Sequence, residues 1–440
     1  MVLTPSRPPS PSEPAPWDAP LQDAVPALAD CPWDAPVTLA VTPTDDPDVA
    51  ALLSEEKIGP RDGAGRTMVV AMSGGVDSAV TALVMRERGY RVIGMNLRLF
   101  SPEDPDHRAN PCCGLPALSD ARRTSARIGI PFYALDMEHE FAESVIDRFV
   151  DEYVQGRTPN PCLECNRHVK FRHLVTKARQ LGADGLATGH YARIVRADPD
   201  APAGSDGARH QLLRAVDDRK DQSYVLYTLD QDQLGYIHFP LGNLTKPEVR
   251  TIARAFGLPV ADKKESQEIC FVGDRSYAQF VRERRPDAAR PGDIVDGEGQ
   301  VLGQHDGLLN HTVGQRRGLG IATTQPLYVV GLDTAANRLV VGPKTATAAR
   351  GLTLDRVSLT GGIPAGGETG IAADVMVRYR GQVAAGKVTV TPDPAGDRYG
   401  TATVSFDGAG PVASPGQAAV FYAPGGTEVL GGGTITAVDR

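Results

Sequence analysis

A glycine-rich hexapeptide, SGGVDS at residues 73–78, is the first place where residue types and spacing indicate chemistry. It follows the apolar run 68–72 and precedes a stretch in which Val80, Leu83 and Val84 recur at helical spacing. A turn between a buried strand and a helix presents backbone N–H groups and the positive end of the helix dipole, which suits phosphate or pyrophosphate. The loop lacks the GK[ST] of a Walker A motif and the GxGxxG of dinucleotide-binding folds.

Two cysteines in a basic loop provide a second signal. Cys162 and Cys165 form a CxxC within residues 156–174, where only Glu164 opposes the surrounding positive charge. The cationic residues of this loop are Arg157, Arg167, Lys170 and Arg172. A cationic setting lowers the pKa of a thiol and favours the reactive thiolate, and the same charges suit the phosphates of a nucleic acid. Alone, the CxxC is consistent with half a zinc site, a redox pair, or one catalytic thiol with a neighbour.

A third cysteine, Cys270, lies beside Ile269 and Phe271 and close to Lys263 and Lys264. On this string alone, a small buried hydrophobe and a functional thiol are equally good interpretations. The adjacent pair Cys112 and Cys113 cannot easily share one site. A metal site that combines one of that pair with Cys162, Cys165 and Cys270 remains open.

The elements around these residues alternate between strand and helix in the first part of the chain. After the strand and helix that flank residues 73–78, the pattern predicts strands at 90–100, 131–135 and 185–195 and helices at 142–154 and 246–257. From about residue 273 the pattern changes to short alternating runs separated by Gly, Pro and Asp. We therefore predict an α/β domain with a parallel sheet, followed by a small β-rich domain and a barrel. Residues 197–210 resemble a hairpin insertion.

Composition separates the N-terminal segment from the rest. The 440-residue chain has a net charge of −8, and residues 1–65 alone contain eleven Asp and Glu against three Lys and Arg. They also contain thirteen of the 35 prolines and both tryptophans, so we predict a disordered Pro/Ala-rich acidic extension at 1–66. No window approaches 18 consecutive apolar residues and no signal-peptide pattern appears, which predicts a cytoplasmic protein with no membrane segment.

Seven strings identify the sequence as resembling one family. They are SGGVDSAV, GRTPNPCLECNRHVKF, ATGHYAR, KDQSYVLYTL, FPLGNLTKPEVR, SQEICF and HTVGQRRGLG. Their types and order are similar to those of the bacterial tRNA-specific 2-thiouridylases (the MnmA family), within the PP-loop ATP pyrophosphatase superfamily. The resemblance begins near Met68 and excludes the extension. It implies an adenine nucleotide alpha-hydrolase-like PP-loop domain at 67–272, a central domain at 273–345 and a C-terminal β-barrel at 346–440.

The resemblance also implies roles for individual residues. ATP is expected on the loop and on two further positions: Ala71, Met72, Ser73, Gly74, Gly75, Val76, Asp77, Ser78, Leu97 and Gly189. Cys165 is the implied nucleophile and Cys270 the implied persulfide carrier. The implied tRNA contacts are Asn160, Pro161, Cys162, Lys220, Asp221, Gln222, Arg378, Tyr379 and Arg380, the last three on a barrel strand. Many members have Asp where this chain has Cys162, which puts an acid–base role at that position in doubt.

The implied reaction replaces the C2 oxygen of the wobble uridine in the tRNAs for Lys, Glu and Gln with sulfur. ATP would adenylate that oxygen, Mg²⁺ near Asp77 would neutralise the departing pyrophosphate, and Gly75 would allow a left-handed or closely approached backbone. Sulfur would come from a persulfide-donating relay protein or a cysteine desulfurase, and the enzyme is expected to be a monomer. Direct persulfide attack and prior release of hydrosulfide both remain open.

Two alternatives of another kind remain. A PP-loop ligase or amidotransferase would not need Cys165 and Cys270. An iron–sulfur-dependent enzyme that uses hydrosulfide would need the thiols as ligands, and Cys162 adds a third thiolate for such a cluster.

Overall fold

The computed structural model describes residues 46–100, 114–198, 200–201, 205–264, 269–273, 275–364, 367–395 and 398–440. Cys112, Cys113, residues 1–45 of the extension and residues 266–268 of the SQEICF string lie outside the described residues. No helix of the described part is long and apolar enough to cross a membrane.

The first part of the chain is an α/β domain around five parallel strands in the order β3-β2-β1-β4-β7. The strands are β1 (Thr67–Ala71), β2 (Arg91–Arg98), β3 (Phe132–Asp136), β4 (Gly185–Ala187) and β7 (Ile237–His238). Because β1 is central and covered on both faces, its residues read as a continuous apolar run, and Met68, Val69 and Val70 are fully buried.

Helices cover this sheet. They are α1 (Pro47–Leu52), α2 (Glu55–Ile58), α3 (Val76–Glu87), α4 (Leu115–Ile128), α5 (Glu138–Phe141), α6 (Arg148–Val154), α7 (Pro161–Glu164), α8 (Phe171–Gln180), α9 (Gln231–Tyr236), α10 (Lys246–Ala255) and, after the domain, α11 (Tyr277–Arg284). Wide π-helical turns at Ala142–Asp147 and Cys165–Lys170 join α5 to α6 and α7 to α8.

The order of the strands reverses at β1, since the chain moves from β1 to β2 on one side and reaches β4 on the other. In parallel α/β sheets, ligands bind outside the carboxyl ends of the strands at such a reversal. The residues 73–78 follow β1, and the segment 188–191 follows β4. The topology therefore places these two loops side by side.

The sequence predicted one strand over 185–195, and this was wrong. The structure has two strands, β4 in the parallel sheet and β5 (Ala192–Val195), which pairs with β6 (Gln211–Arg214) as an antiparallel hairpin. The chain must leave the sheet at 188–191 because residues there contact α3. The hairpin around 197–210 is in the predicted place, and β6 pairs with a strand of the barrel.

The rest of the chain is mostly β, although α11 is its first element and was not predicted. A four-stranded sheet of order β10-β11-β8-β9 contains β8 (Gly292–Val295), β9 (Val301–His305), β10 (Tyr328–Asp333) and β11 (Arg338–Gly342). Six further strands follow in the order β12-β15-β14-β13-β16-β17 and close by pairing β12 with β17. They are β12 (Gly351–Leu359), β13 (Thr369–Met376), β14 (Val383–Thr391), β15 (Gly400–Phe406), β16 (Ala418–Tyr422) and β17 (Glu428–Asp439). This closed barrel confirms the predicted architecture.

The extension is not disordered throughout, which corrects the prediction for residues 46–66. Asp46 caps α1, and Val49, Leu53 and Ile58 are buried in the cluster that also contains residues of α3 and α10. Lys57 forms an ion pair of 3.0 Å with Glu248 of α10. The apolar residues of this short segment are few, but Val49, Leu53 and Ile58 all pack on one surface of the α/β domain.

Replacing Ile58 with Ala should destabilise the α/β domain by about 2–4 kcal/mol, because a buried side chain leaves a cavity under α2. Denaturant unfolding measures the change. Glu56→Ala on the exposed side of the same helix is the control, and it should change stability by less than about 0.5 kcal/mol. Equal stability of Ile58→Ala and the parent would contradict the packing of residues 46–66.

Candidate functional site

The glycine-rich loop begins where β1 ends at Ala71 and is braced from within. Asn96 of β2 donates its side-chain amide to the carbonyl of Met72 at 2.6 Å. The backbone N–H of Ser73 donates to Ser78 Oγ at 3.2 Å, and that hydroxyl donates to the carbonyl of Gly75 at 3.1 Å. The loop thus closes on the first turn of α3, with Gly75 in the cap position and Val76 and Asp77 as the first helical residues.

The left-handed residue of the loop is Gly74, not Gly75 as the sequence analysis allowed. Gly74 has φ of +74°, and a Cβ on it would lie 2.1 Å from the carbonyl oxygen of Ala117 in α4. Gly75 has an extended φ of −101°, and a Cβ there would meet only Ser73 Oγ, at 3.6 Å. The close approach that requires glycine is therefore between the loop and α4.

Asp77 is engaged by protein groups. Lys246, at the start of α10, lies 2.7 Å from both carboxylate oxygens, and the Tyr191 hydroxyl donates to one of them at 2.8 Å. The Lys246 side chain is 9% exposed. Mg²⁺ at ATP sites usually takes one or two carboxylates besides phosphate and water. The residues present do not fit the predicted magnesium role of Asp77, because a buried ammonium already neutralises this carboxylate.

The other two predicted nucleotide residues lie at the same edge of the sheet. Leu97 is near the end of β2 and packs partly buried on the core cluster. Gly189 follows β4, and a Cβ on it would lie 2.9 Å from the carbonyl carbon of Asp77 and 3.0 Å from the nitrogen of Ser78. Only glycine allows segment 188–191 to lie against the N-terminus of α3.

The CxxC loop forms a short helix rather than an open basic loop. Asn160 caps α7 by accepting from the N–H of Leu163 at 3.3 Å, and Pro161 occupies the first turn. Cys162 is exposed, whereas Cys165 begins the π-helical turn and is only 6% exposed. The two thiols of the motif therefore meet different environments.

Burial raises the pKa of the Cys165 thiol to about 11, against the opposing effect of Lys170. The sequence analysis predicted a lowered pKa from the surrounding cations, and this was wrong. Arg157 is held by two 2.6 Å hydrogen bonds to Glu152. Arg167 is buried, lies 3.7 Å from Glu164 and donates to the Tyr227 hydroxyl at 3.3 Å. Both guanidinium groups are thus held by protein partners, and neither is among the groups that shift the pKa of Cys165.

Cys270 is half-buried and borders the hydrophobic cluster to which Cys165 belongs. The next residue, Phe271, is fully buried among Phe141, Phe149 and Phe280. Cys165 is a free thiol. Within the described residues, no group of three His, Cys, Asp or Glu side chains is arranged for a metal ion.

The predicted tRNA residues lie in three segments, and the third, 378–380, approaches the other two, 160–162 and 220–222. Arg378, Tyr379 and Arg380 are exposed, but they lie in the turn after β13, not on a strand as predicted. The Arg380 guanidinium donates to the carbonyl of Arg219, next to Lys220. Burial raises the pKa of Tyr379, and Asp221 and Cys162 lie close enough to add to that rise.

Asp221 and Gln222 shape the backbone here. Asp221 accepts from the N–H groups of Ala215 and Ser223 and from the Ser223 hydroxyl at 2.8–3.2 Å. Burial raises the pKa of its carboxyl. Gln222 accepts from the N–H of Tyr191 at 3.0 Å, and its own N–H donates to the Tyr191 carbonyl at 2.8 Å. Lys220 directly precedes this pair in the chain.

Sequence reasoning missed four residues that organise the site. They are Lys246, Tyr191, His190 and Lys263. Lys263 donates to the carbonyl of Gly74 at 3.0 Å and to Asp120 of α4 at 2.7 Å. Burial lowers the pKa of His190 to about 3, so it is a neutral imidazole beside Phe171. The strings ATGHYAR and LTKPEVR contained the signal, but nothing in one sequence pairs a lysine with an aspartate 169 positions away.

Comparison with known proteins shows which families these parts match. Residues 66–274 match the tRNA methyl transferase HUP domain, 278–343 the tRNA methyl transferase PRC-barrel domain, and 349–435 the aminomethyltransferase beta-barrel domain.

Full-length relatives match across all three parts. The chain is 50% identical over 380 residues to the tRNA-specific 2-thiouridylase MnmA of Geobacter metallireducens, a match that covers 85% of this chain and 98% of that protein. It is 48% identical over 375 residues to the protein of the same name from Bradyrhizobium diazoefficiens, with coverage of 84% and 91%. It is 46% identical over 376 residues to the protein of that name from Roseiflexus castenholzii, a match that covers 84% of this chain and 98% of that protein.

Gly74→Ala should displace the loop from α4 and abolish ATP-dependent pyrophosphate exchange, because the new Cβ meets backbone and the φ is left-handed. Gly75→Ala is the matched control for folding, since its Cβ has room in the free protein. Circular dichroism and ATP–pyrophosphate exchange measure the two effects. Normal exchange by Gly74→Ala would contradict the close approach to Ala117.

The alkylation of Cys165 by iodoacetamide should be slow at pH 8 and rise with pH up to about 11. With a pKa of about 11, roughly one thiol in a thousand is ionised at pH 8, and only the thiolate reacts. Peptide mass spectrometry at several pH values gives the rate for each cysteine, with exposed Cys162 as the internal comparison. A pH midpoint for Cys165 below that of Cys162 would contradict the assigned environment.

Proposed function

The chain belongs to the tRNA-specific 2-thiouridylase family, and on that premise we propose that it catalyses ATP-dependent 2-thiolation of a uridine in tRNA. One observation carries the proposal beyond the family resemblance. Segment 188–191 contacts the nucleotide loop, residues 73–78, through Gly189 and Tyr191. His190 of the same segment lies against Phe171, which directly follows the π-helical turn that begins at Cys165; we call residues 156–171 the cysteine loop. The loop that we expect to bind ATP and the segment that carries a buried thiol thus both lie against these four consecutive residues.

The first step that this arrangement supports is activation of the base. The uridine C2 oxygen attacks the α-phosphate of ATP, pyrophosphate leaves, and C2 then carries AMP as a good leaving group. Backbone N–H groups of the loop and the dipole of α3 would bind the leaving pyrophosphate. The ammonium group of Lys263 donates to the carbonyl of Gly74, so it places a positive charge at this loop.

The second step uses the two thiols. The terminal sulfur of a Cys270 persulfide attacks C2 and AMP leaves, which gives a mixed disulfide between Cys270 and the base. The Cys165 thiolate then attacks Cys270 Sγ, so that the 2-thiouridine is released and a Cys165–Cys270 disulfide forms. A dithiol reductant returns both cysteines to thiols. If Cys165 attacks the persulfide first, hydrosulfide is released and attacks the activated C2 instead.

Several finer features belong to the same proposal. The target is the wobble uridine of the tRNAs for Lys, Glu and Gln, whose anticodon bases are already single-stranded and cheap to unstack. The turn 378–380 and Lys220 bind tRNA phosphates. A relay protein or cysteine desulfurase supplies the sulfur to a cytoplasmic monomer. Mg²⁺ bound with ATP would neutralise phosphate charge. Among the residues that the structure describes, the thiols do not form a set of ligands for an iron–sulfur cluster.

The alternative of a PP-loop ligase or amidotransferase is weaker because it leaves Cys165 and Cys270 without a role. Cys165 belongs to one hydrophobic cluster and Cys270 packs against the same cluster. A polar reaction next to this cluster costs desolvation energy, which is reasonable only if the two thiols take part in the reaction.

Cys270→Ser should lose thiolation and keep ATP–pyrophosphate exchange in the presence of tRNA, because the sulfur carrier is separate from the nucleotide loop. Cys165→Ser should also lose thiolation with a persulfide donor. Mass spectrometry of nucleosides from the treated tRNA measures 2-thiouridine. Cys31→Ser, which precedes the region of family similarity, is the control and should retain activity. Thiolation by Cys270→Ser with a persulfide donor would overturn the assignment.

A further inference from the structure

The residue immediately before the buried thiol is a buried carboxylate surrounded by three arginines and a histidine. Glu164 is 7% exposed. Its oxygens lie 3.3–3.7 Å from side-chain nitrogens of Arg148, Arg167, His168 and Arg356. Burial alone would raise the pKa of this carboxyl, but His168, Arg167 and Arg148 hold it below its usual value. Glu164 therefore stays ionised and anchors the cysteine loop electrostatically.

Three of the four partners lie in the α/β domain, and the fourth comes from the barrel. Arg356 belongs to β12 and has φ of +47°. The pairing of β12 shifts register around this residue on both sides, between Leu354 and Val357 toward β15 and between Asp355 and Ser358 toward β17. Such a bulge redirects a side chain out of the regular alternation of a strand. Here it directs Arg356 to Glu164.

A left-handed backbone at a long, unbranched side chain is strained and persists only where surrounding contacts hold it. Three contacts do so at Arg356. One terminal nitrogen of its guanidinium lies 3.5 Å from Glu164, the other donates to the Thr434 hydroxyl of β17 at 3.1 Å, and Nε lies 3.6 Å from the Asp355 carboxylate. The strained residue thus connects the barrel wall to the residue next to the thiol.

Around Arg356 the cysteine loop packs closely against the barrel, and further hydrogen bonds join the two. The N–H of Thr158 donates to the carbonyl of Pro415 at 2.8 Å, and the Gln417 side chain donates to the carbonyl of Thr158 at 2.8 Å. The cavity bounded by Asn160, Glu164, Arg356 and their neighbours has a free volume of about 10 Å³, barely the space of one water. The loop therefore has little freedom while the barrel is in place.

We propose that Arg356 is a positioning residue, through which the barrel fixes the loop that carries Cys162 and Cys165. This inference rests on the proposed function for its catalytic consequence, but the tether itself does not depend on it. The barrel then does more than enlarge the RNA-binding surface. It sets the position of the nucleophile's backbone, and loosening the tether exposes Cys165 and misaligns it.

The test compares Arg356→Met with Arg148→Met. Each removes one guanidinium from the same carboxylate. Arg356→Met removes the contact that a barrel strand makes with Glu164, whereas Arg148→Met leaves that contact in place and otherwise removes only a charge near Asp355 of β12. Arg356→Met should lower the single-turnover rate of tRNA thiolation by about 10- to 100-fold, as displacement of a reacting group by about 1 Å does. Its affinity for tRNA should stay within about twofold, because binding groups are retained. Arg356→Lys should recover most of the rate.

The alkylation rate of Cys165 at pH 8, measured by peptide mass spectrometry, is the readout independent of turnover. We expect Arg356→Met to raise it by about fivefold or more and Arg148→Met to leave it within about twofold, since an opened loop exposes a buried thiol. If Arg356→Met folds poorly, Arg356→Gly replaces it, because glycine adopts the left-handed backbone without strain.

Unchanged alkylation and unchanged thiolation in Arg356→Met or Arg356→Gly would overturn the tether. Equal effects of Arg148→Met and Arg356→Met would overturn it as well, because they would assign the effect to the charge of Glu164 alone. If the unmodified protein failed to thiolate tRNA, the proposed function would fall, whereas the alkylation comparison would still decide the tether.

Discussion

The carboxylate of Asp77 holds together the parts of the nucleotide site. Its two oxygens bind the largely buried ammonium of Lys246, and one of them accepts from the Tyr191 hydroxyl. These contacts connect α3, α10 and segment 188–191, and Gly189 permits the approach. Loss of the carboxylate would remove the ion pair of a largely buried ammonium, at a cost of several kcal/mol. An inactive Asp77 variant therefore reports on assembly of the site before it reports on phosphate or metal chemistry.

The sequence contained enough information to predict the fold class and the edge of the sheet where the site lies. The apolar run before Ser73 and the helical spacing after it predict a βα turn from local pattern alone. The closed barrel follows from short alternating strands. Segment 188–191 could not be predicted in this way, because residues 185–195 are apolar enough for one strand. Their break depends on Asp77 and Ser78, which lie over a hundred positions earlier.

The electrostatics of the cysteine loop show the same limit more strongly. Counting Arg157 and Arg167 near Cys165 predicts an activated thiol, whereas Glu152, Glu164 and Tyr227 take up those guanidinium groups. Charge counted along a sequence does not include partners from other elements or the effect of burial. For Cys165, burial outweighs the remaining cation, Lys170. The prediction of disorder for residues 46–58 was wrong for a related reason. The few apolar residues of this segment are sufficient to order it only because they pack on a surface that α3 and α10 already form.

A neutral, buried thiol constrains the order of events in any mechanism that uses Cys165 as a nucleophile. At neutral pH about one molecule in ten thousand would carry the thiolate while the pKa stays near 11. The same burial protects the thiol from alkylation and oxidation when no substrate is bound. Ionisation must then accompany a change in its surroundings, such as removal of the covering apolar contacts or arrival of a proton acceptor. Cys162 is exposed on the short helix α7, which ends directly before Cys165, and it lies near Tyr379 in the barrel. If RNA binds at the 378–380 turn as proposed, it would reach α7 before it reaches Cys165, and the proposed tether would couple the activation of Cys165 to that surface.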